Sequence, residues 1–315
     1  MAIVRAVGRA SELILAGDPV AVPTETVYGL AADATNDRAV AKVYEAKGRP
    51  SFNPLIIHVA DVAMARRYVD FPPLAEKLAA AFWPGPLTLV LPRREGCGVS
   101  HLVSAGLDTL GVRAPRHPMT QLLIREIDRP LAAPSANRSG SVSPTTADHV
   151  CESLGDRVRL ILDGGPSRVG VESTIVKIDG DHAILLRPGG VSRADIERAI
   201  GKPFDAADKV NIEAPGMMES HYAPRAALRL GATAPQADEA FLGFGKVAAA
   251  GAAALNLSDS GDLVEAAAHL FAHLRALDAI CIERGLKGIA AAPVPNEGLG
   301  EAINDRLSRA AAPRE

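Results

Sequence analysis

At 315 residues the chain is long for one domain and natural for two, because single cores stop growing before that length. Its 34 basic and 37 acidic residues give a formal net charge of -3, so the chain as a whole has no pull toward nucleic acid or an anionic membrane, and any anion binding must be local. Cys97, Cys151 and Cys281 lie far apart with neither CxxC spacing nor a disulfide framework, no signal-peptide pattern opens the sequence, and no stretch reaches the roughly 18–20 charge-free apolar residues of a membrane span; a cytoplasmic location is expected.

Leu and Ile mark residues 11–16 until Asp18-Pro19 breaks the run, and Val20-Ala21-Val22 reads as a short buried strand ending at Pro23. Thr24-Glu25-Thr26-Val27-Tyr28-Gly29-Leu30 then puts two hydroxyls, a carboxylate and an aromatic before a glycine. Such a segment suits either a small polar substrate held against an apolar wall or a helix start with Thr24 as cap and Tyr28 in the core. Asn36 caps a predicted helix over 37–46, with Val40, Val43 and Tyr44 on one face, and Gly48 ends it. Lys47 and Arg49 thus sit at a helix exit stiffened by Pro50 and Pro54, as an anion grip or as surface charges. The apolar strand over 55–59 carries His58, a satisfied core histidine or a proton-transfer group.

Helical patterns follow over 63–68 and 74–82, split by Pro72-Pro73, and strands over 87–91 and 110–113, the second ending on Arg113. Pro118 opens a helix to about 126. Residues 131–133 feed a loop in which Ser135 and Asn137 are turn formers or neutral donors to a ligand. Ser143-Pro144 marks a helix start and Gly155 its stop; strands are predicted over 158–162, 173–178 and 183–186, followed by Arg187, and Ser192 with Asp195 caps a helix ending at Gly201. Alternation giving way to crowded strands predicts an α/β fold with a curved mixed β-sheet and flanking helices.

Residues 206–226, with Met217-Met218 and Ser220-His221-Tyr222-Ala223-Pro224, read as an ordered linker between a domain over 1–205 and a small α/β domain over 227–315. The second unit is predicted to hold strands over 227–230, 239–243 and 253–257, a helix over 262–277 capped by Ser260, a strand over 279–283 and a closing helix over 299–311. The apolar run over 248–257 is too short to span a membrane. HExxH, Walker A and GxGxxG are all absent, so any phosphate site must be assembled from dispersed cations and neutral donors such as Lys47, Arg49, Arg187, Ser135 and Asn137.

Several segments occur in one order over residues 8–201: Pro23 to Leu30, Lys47-x-Arg49-Pro50, Pro54-Leu55-Ile56-Ile57-His58-Val59, Trp83-Pro84-Gly85-Pro86-Leu87-Thr88, Val112-Arg113 with Pro115 and His117-Pro118, Pro134-Ser135-Ala136-Asn137, Ser173-Thr174-Ile175-Val176 and Leu186-Arg187-Pro188-Gly189. This series resembles the threonylcarbamoyl-AMP synthase family in its longer Sua5 form, with Ser220 to Pro224 similar to its linker motif and Asn304 to Arg309 to its ending. The resemblance implies a YrdC-like catalytic domain followed by a small Rossmann-like Sua5 domain. It also implies a nucleotidyltransferase that converts L-threonine, bicarbonate and ATP to L-threonylcarbamoyl-AMP, pyrophosphate and water, for N6-threonylcarbamoyladenosine at position 37 of tRNA.

Carried over position by position, the resemblance assigns Lys47, Arg49, Ser135, Asn137 and Arg187 to the nucleotide, with Lys47, Arg49 and Arg187 catalytic. Thr26, His58, Arg113 and Ser173 fall to threonine and the nascent carbamate, Tyr28 to the lining of the same pocket and Tyr222 to a lid. Mg2+ is expected mainly on ATP oxygens and not in a protein-built metal site. Transient contact with the tRNA threonylcarbamoyl-transferase proteins is expected, with weak tRNA binding and no membrane. Two other readings compete: a double-stranded RNA or tRNA binding module using Lys47, Arg49, Arg113 and Arg187, and carbamoyl transfer in hydrogenase maturation, whose acylphosphatase-like and cysteine-rich zinc regions this sequence lacks.

Overall fold

The computed structural model describes residues 2–50, 53–206, 215, 220–246 and 253–313. It opens with α1 (Ala2–Leu15), where Val7, Ala10 and Ile14 recur every three to four residues and bury one face against the domain. The sequence showed only the second half of this helix, as an apolar run. β1 (Val20–Val22) pairs antiparallel with β2 (Gly29–Asp33). Between them Thr24 caps no helix: its hydroxyl accepts from the amides of Thr26 and Val27 and donates to the Val27 carbonyl, closing a tight turn.

α2 (Asp37–Lys47) starts where the Asn36 side chain accepts from the amides of Arg38 and Ala39, and ends at Gly48, whose φ of 60° is the left-handed stop. There follow β3 (Ile56–His58), the short α3 (Val62–Ala65), α4 (Pro73–Phe82), β4 (Leu87–Pro92), the short α5 (His101–Ser104), β5 (Thr109–Arg113), α6 (Pro118–Ile127) and β6 (Leu131–Ala132). α7 (Ala147–Leu154) begins later than expected, because Thr146 is its cap and the Ser143 hydroxyl is spent on Glu172. Residues 158–162 touch β1 through a single bridge at Ile161 and do not form a strand. β7 (Thr174–Asp179), β8 (His182–Arg187) and α8 (Arg193–Ile200) complete the unit.

Its eight strands form one mixed sheet in the order β1-β2-β6-β3-β5-β4-β7-β8, with β3/β5 and β4/β7 parallel and the other pairs antiparallel. This order matters for chemistry. His58 and Arg113 are directly paired in register at the ends of β3 and β5, and the parallel pairing of β4 with β7 brings Thr88 to Ser173.

The second sheet is all parallel, β11-β10-β12-β9, from β9 (Ala227–Arg229), β10 (Glu239–Gly243), β11 (Ala254–Asn256) and β12 (Gly288–Ala291), with α9 (Leu263–Arg284) and α10 (Gly300–Ala311). The fold is therefore the expected mixed sheet with flanking helices followed by a small α/β domain. Two expectations inside that domain fail together. α9 is capped by Asp262 instead of Ser260 and runs through residues 279–283, since Leu270, Leu274, Leu277 and Cys281 stay on one buried face; Gly285, at φ 67°, stops it, and the strand lies at β12 instead. The Met217-Met218 pair and the first part of the apolar run, 248–252, lie outside the described residues.

The two domains share packing. Val27, Val142 and Val171 of the first join Tyr222 of the linker and Leu270, Phe271 and Leu274 of α9 in one apolar cluster.

Candidate active site

Gly48 turns the chain sharply as it leaves α2, so the cations on either side of it are driven inward. Lys47 is 2% exposed, and its Nζ donates to the carbonyls of Ser135 at 2.6 Å and Asn137 at 2.5 Å. Arg49 donates to the carbonyls of Asn53 at 3.3 Å and Pro54 at 3.1 Å. Arg187, delivered by the end of β8, grips the Ser173 carbonyl through Nε and Nη2 (3.2 and 2.8 Å), reaches the Ser173 hydroxyl at 3.3 Å and meets the Pro215 carbonyl at 3.0 Å.

Among the described residues none of these three cations is ion-paired with a carboxylate. Burial pushes Lys47 well below its ordinary value, and the nearby Arg49 charge adds to this. Burial likewise brings Arg49 down to about 10 and lowers Arg187. Desolvated, mutually repelling cations are a standing demand for an anion, and an incoming polyphosphate relieves it. Arg49, Arg187 and Ser135 line one recess, whereas Lys47 is not among its lining residues. Asn137 does not line it either: its amide nitrogen donates to the carbonyls of Arg138 and Ser141, shaping the loop that holds Lys47, while its buried Oδ1 has no partner among the described residues.

The recess is small as it stands, with a cavity volume of about 50 Å³. Thr26, His58, Arg113 and Ser173 line it too. The buried Arg113 donates to Glu25 at 2.7 Å, to the Thr26 hydroxyl at 2.9 Å and to the Gly85 carbonyl at 3.2 Å, which leaves two of a guanidinium's five N–H groups for a ligand. Glu25 is fixed in turn by the Arg116 amide at 3.0 Å. The Ser173 and Thr88 hydroxyls bond each other at 2.7 Å. Burial, reinforced by the Arg113 charge, takes His58 down to about 3, so it is a neutral imidazole and a feeble proton acceptor at physiological pH.

Tyr28 does not line the recess. Its hydroxyl donates to the Gly165 carbonyl at 2.7 Å and accepts from the Gly164 amide at 3.1 Å, and burial pushes it up to about 12; it braces the 163–165 turn from the core.

The linker supplies the third wall through Pro215, His221 and Tyr222. Tyr222 is 1% exposed, adopts a left-handed φ of 63°, and lies with Phe271 on one side and the Arg306 guanidinium 5.3 Å from its ring. Residues 207–214 and 216–219 of the linker lie outside the described residues.

Sequence reasoning missed Glu172, His221 and Arg306. A readable signal existed for two of them: Glu172 is a lone charge in a run of small and apolar residues just before Ser173, and Arg306 occupies a position on α10 whose neighbours at helical spacing, Ile303 and Ala310, are buried.

Among the described residues no three His, Cys, Asp or Glu side chains gather to hold a metal, and no helix is long and apolar enough to cross a membrane.

These features define a two-domain α/β protein with an enclosed, cation-rich recess roofed by its interdomain linker. A family model for Sua5, YciO and YrdC proteins, described as telomere recombination, matches residues 12–189, and one described as the C-terminal domain of threonylcarbamoyl-AMP synthase matches residues 191–312. The threonylcarbamoyl-AMP synthase of Bacillus subtilis strain 168 is 40% identical over 329 residues, covering 98% of this chain and 93% of its own. Among solved structures, Pyrococcus abyssi Sua5 complexed with L-threonine shows 39% identity and a TM-score of 0.86, covering 97% of this chain and 94% of that one. A form of that protein with an adjacent histidine and tyrosine replaced by alanine gives 37% and 0.85, covering 97% and 92%. The chain belongs to the threonylcarbamoyl-AMP synthase family.

Proposed function

We propose that the recess joins L-threonine, bicarbonate and ATP into L-threonylcarbamoyl-AMP, releasing pyrophosphate and water. The observation that carries this is one recess lined by the buried Arg49 and Arg187, which have no carboxylate ion-pair partner among the described residues, and by Arg113, a guanidinium with two spare N–H groups beside the buried Thr26 hydroxyl.

In this reading Arg113 takes the substrate carboxylate and Thr26 the substrate hydroxyl, with His58 and Ser173 shaping the space around the amine. A hydroxyl partner left unpaired by valine costs about 1–3 kcal/mol, whereas serine forfeits only a methyl worth about 0.8 kcal/mol, so serine is the harder competitor to exclude. The amine nitrogen attacks the carbon of carbon dioxide or activated bicarbonate and loses a proton. A carbamate oxygen then attacks the α-phosphorus of ATP, and pyrophosphate leaves. Lys47, Arg49 and Arg187 offset the charge that develops on the α-phosphate and the leaving group. Mg2+, if bound, would be held mainly through ATP oxygens and would supply charge screening for the pyrophosphate. Carbamates lose carbon dioxide in bulk water, which gives the linker wall a chemical purpose: Tyr222 and its neighbours act as the lid, placed by a domain over 227–315 against a catalytic domain over 1–205. The labile product is handed to the proteins that transfer it to tRNA, and the expected setting is the cytoplasm.

A duplex-RNA reading would need its cations on an open face, whereas Lys47, Arg49 and Arg187 are 2, 8 and 4% exposed. Incubation of the full chain with labelled bicarbonate, ATP and Mg2+, with and without threonine, tests the proposal. Threonine-dependent pyrophosphate and a labelled adenylate are expected, and their joint absence rejects it.

A further inference from the structure

The carboxylate that faces the phosphate end of the recess is Glu172, and nothing in the chemistry above uses it. A carboxylate there is a hazard, since it offers Arg187 and Lys47 an internal partner in competition with phosphate. It is held away by a side chain from the other domain. Arg306, on α10 and fully buried, donates from Nε to Glu172 Oε2 at 2.9 Å and from Nη1 to the Pro188 carbonyl at 2.7 Å, one residue after Arg187. The Ser143 hydroxyl takes the other carboxylate oxygen at 2.5 Å. Both Glu172 oxygens are thus occupied, and among the described residues Arg187 makes no ion pair with it.

Burial opposes ionisation of Glu172, but the Arg306 and Arg187 charges and the two hydrogen bonds outweigh it and keep its value below the ordinary one, so the carboxylate stays charged. The same guanidinium lies over the Tyr222 ring, so one side chain touches the linker wall, the Arg187 strand end and the carboxylate.

We propose that Arg306 is a positioning residue that sequesters the Glu172 charge, keeping Arg187 and Lys47 available to polyphosphate, and that through it the second domain sets the first domain's affinity for ATP. The inference rests on the ATP-binding reading given above. It differs from a simple domain-stapling role in one respect: removing Arg306 does harm chiefly because a charged Glu172 is released.

The test is a double-mutant cycle on the full chain, with a non-hydrolysable ATP analogue titrated calorimetrically and steady-state constants measured alongside. Arg306→Met is expected to weaken analogue binding at least tenfold and raise the ATP KM in parallel, with the threonine KM within twofold of the parent. Adding Glu172→Gln, which removes the competing charge, is expected to return analogue affinity to within about threefold of the parent. A staple would behave oppositely, the second substitution leaving binding unchanged or worse, and that result overturns the proposal, as does unaltered affinity in Arg306→Met. If Arg306→Met does not fold by circular dichroism, Arg306→Lys replaces it: a threefold or greater loss relieved by Glu172→Gln supports the inference, and a loss not relieved rejects it. If the parent binds the analogue but makes no threonylcarbamoyl-AMP, the proposed reaction fails while the cycle still reports on the clamp; a parent that binds no analogue fails both.

Discussion

Replacing Arg113 with methionine separates what this residue does for the fold from what it does for the reaction. Arg113 and Glu25 form a buried pair at 2.7 Å with side chains 5 and 8% exposed. Removing the guanidinium strands the carboxylate with the Arg116 amide as its remaining hydrogen-bond donor among the described residues. Breaking a buried pair from one side costs about 3–5 kcal/mol, and at roughly 2–4 °C per kcal/mol for a domain of this size the melting temperature should fall by about 6–20 °C. In Glu25→Gln/Arg113→Met no charge is stranded, and most of that loss should return. Threonine binding should not return, because two charge-assisted N–H donors are gone from the recess; at about 1.5–3 kcal/mol this is roughly a 10- to 150-fold rise in threonine KM in both variants, with ATP affinity unchanged. The assays are thermal melting by circular dichroism and threonine-dependent pyrophosphate release. A single variant that melts within 2 °C of the parent, or a double variant with a normal threonine KM, would show the reasoning to be wrong.

Lys47→Met should lower ATP affinity by roughly 10- to 150-fold, the value of a hydrogen bond to a charged partner, while threonine affinity stays within about twofold; calorimetric titration of each ligand decides it. Because burial and Arg49 depress Lys47 in the free protein, bound phosphate should raise it again, so between its free and bound values ATP binding should take up protons in the parent and not in Lys47→Met. Binding heats that do not vary between buffers of different ionisation enthalpy would contradict this. His58, at about 3, changes charge well below the working range, so the pH–rate profile between pH 5 and 8 should keep its shape in His58→Asn even if the rate falls. Gly170 combines a left-handed φ of 75° with a virtual Cβ 2.3 Å from the Ala267 carbonyl on α9, so Gly170→Ala should undock the second domain and abolish activity while the first keeps its secondary structure. A larger hydrodynamic radius is the expected sign; a fully active, compact variant is the adverse result.

Much of the fold was legible because local signals and tertiary demand agreed. Asn36 and Gly48 fix α2 by hydrogen bonds the sequence displays, and the apolar runs at 87–92 and 239–243 are strands wherever they are buried. Failures came where a residue with a strong local preference was claimed by a distant partner. Ser143 looks like a cap but serves Glu172, and residues 279–283 look like a strand but continue a helix whose apolar face the second sheet requires. In the site, the cations and hydroxyls at strand ends were readable, since a polar island after an apolar run marks an element's mouth. Which atoms act was not readable: Asn137 turns its amide into its own loop, Tyr28 turns away to Gly165, and Arg306 arrives from the far end of the chain.

The Arg306 contact closes a loop in synthesis as well as in space. A ribosome that has finished the whole first domain, with Lys47, Arg113 and Arg187 already folded together, has yet to translate the helix that partners Glu172. Any product terminated before that helix, or clipped within the linker, would carry a recognisable catalytic half without its counterweight. If Arg306 sets ATP affinity as proposed, such copies would hold nucleotide weakly.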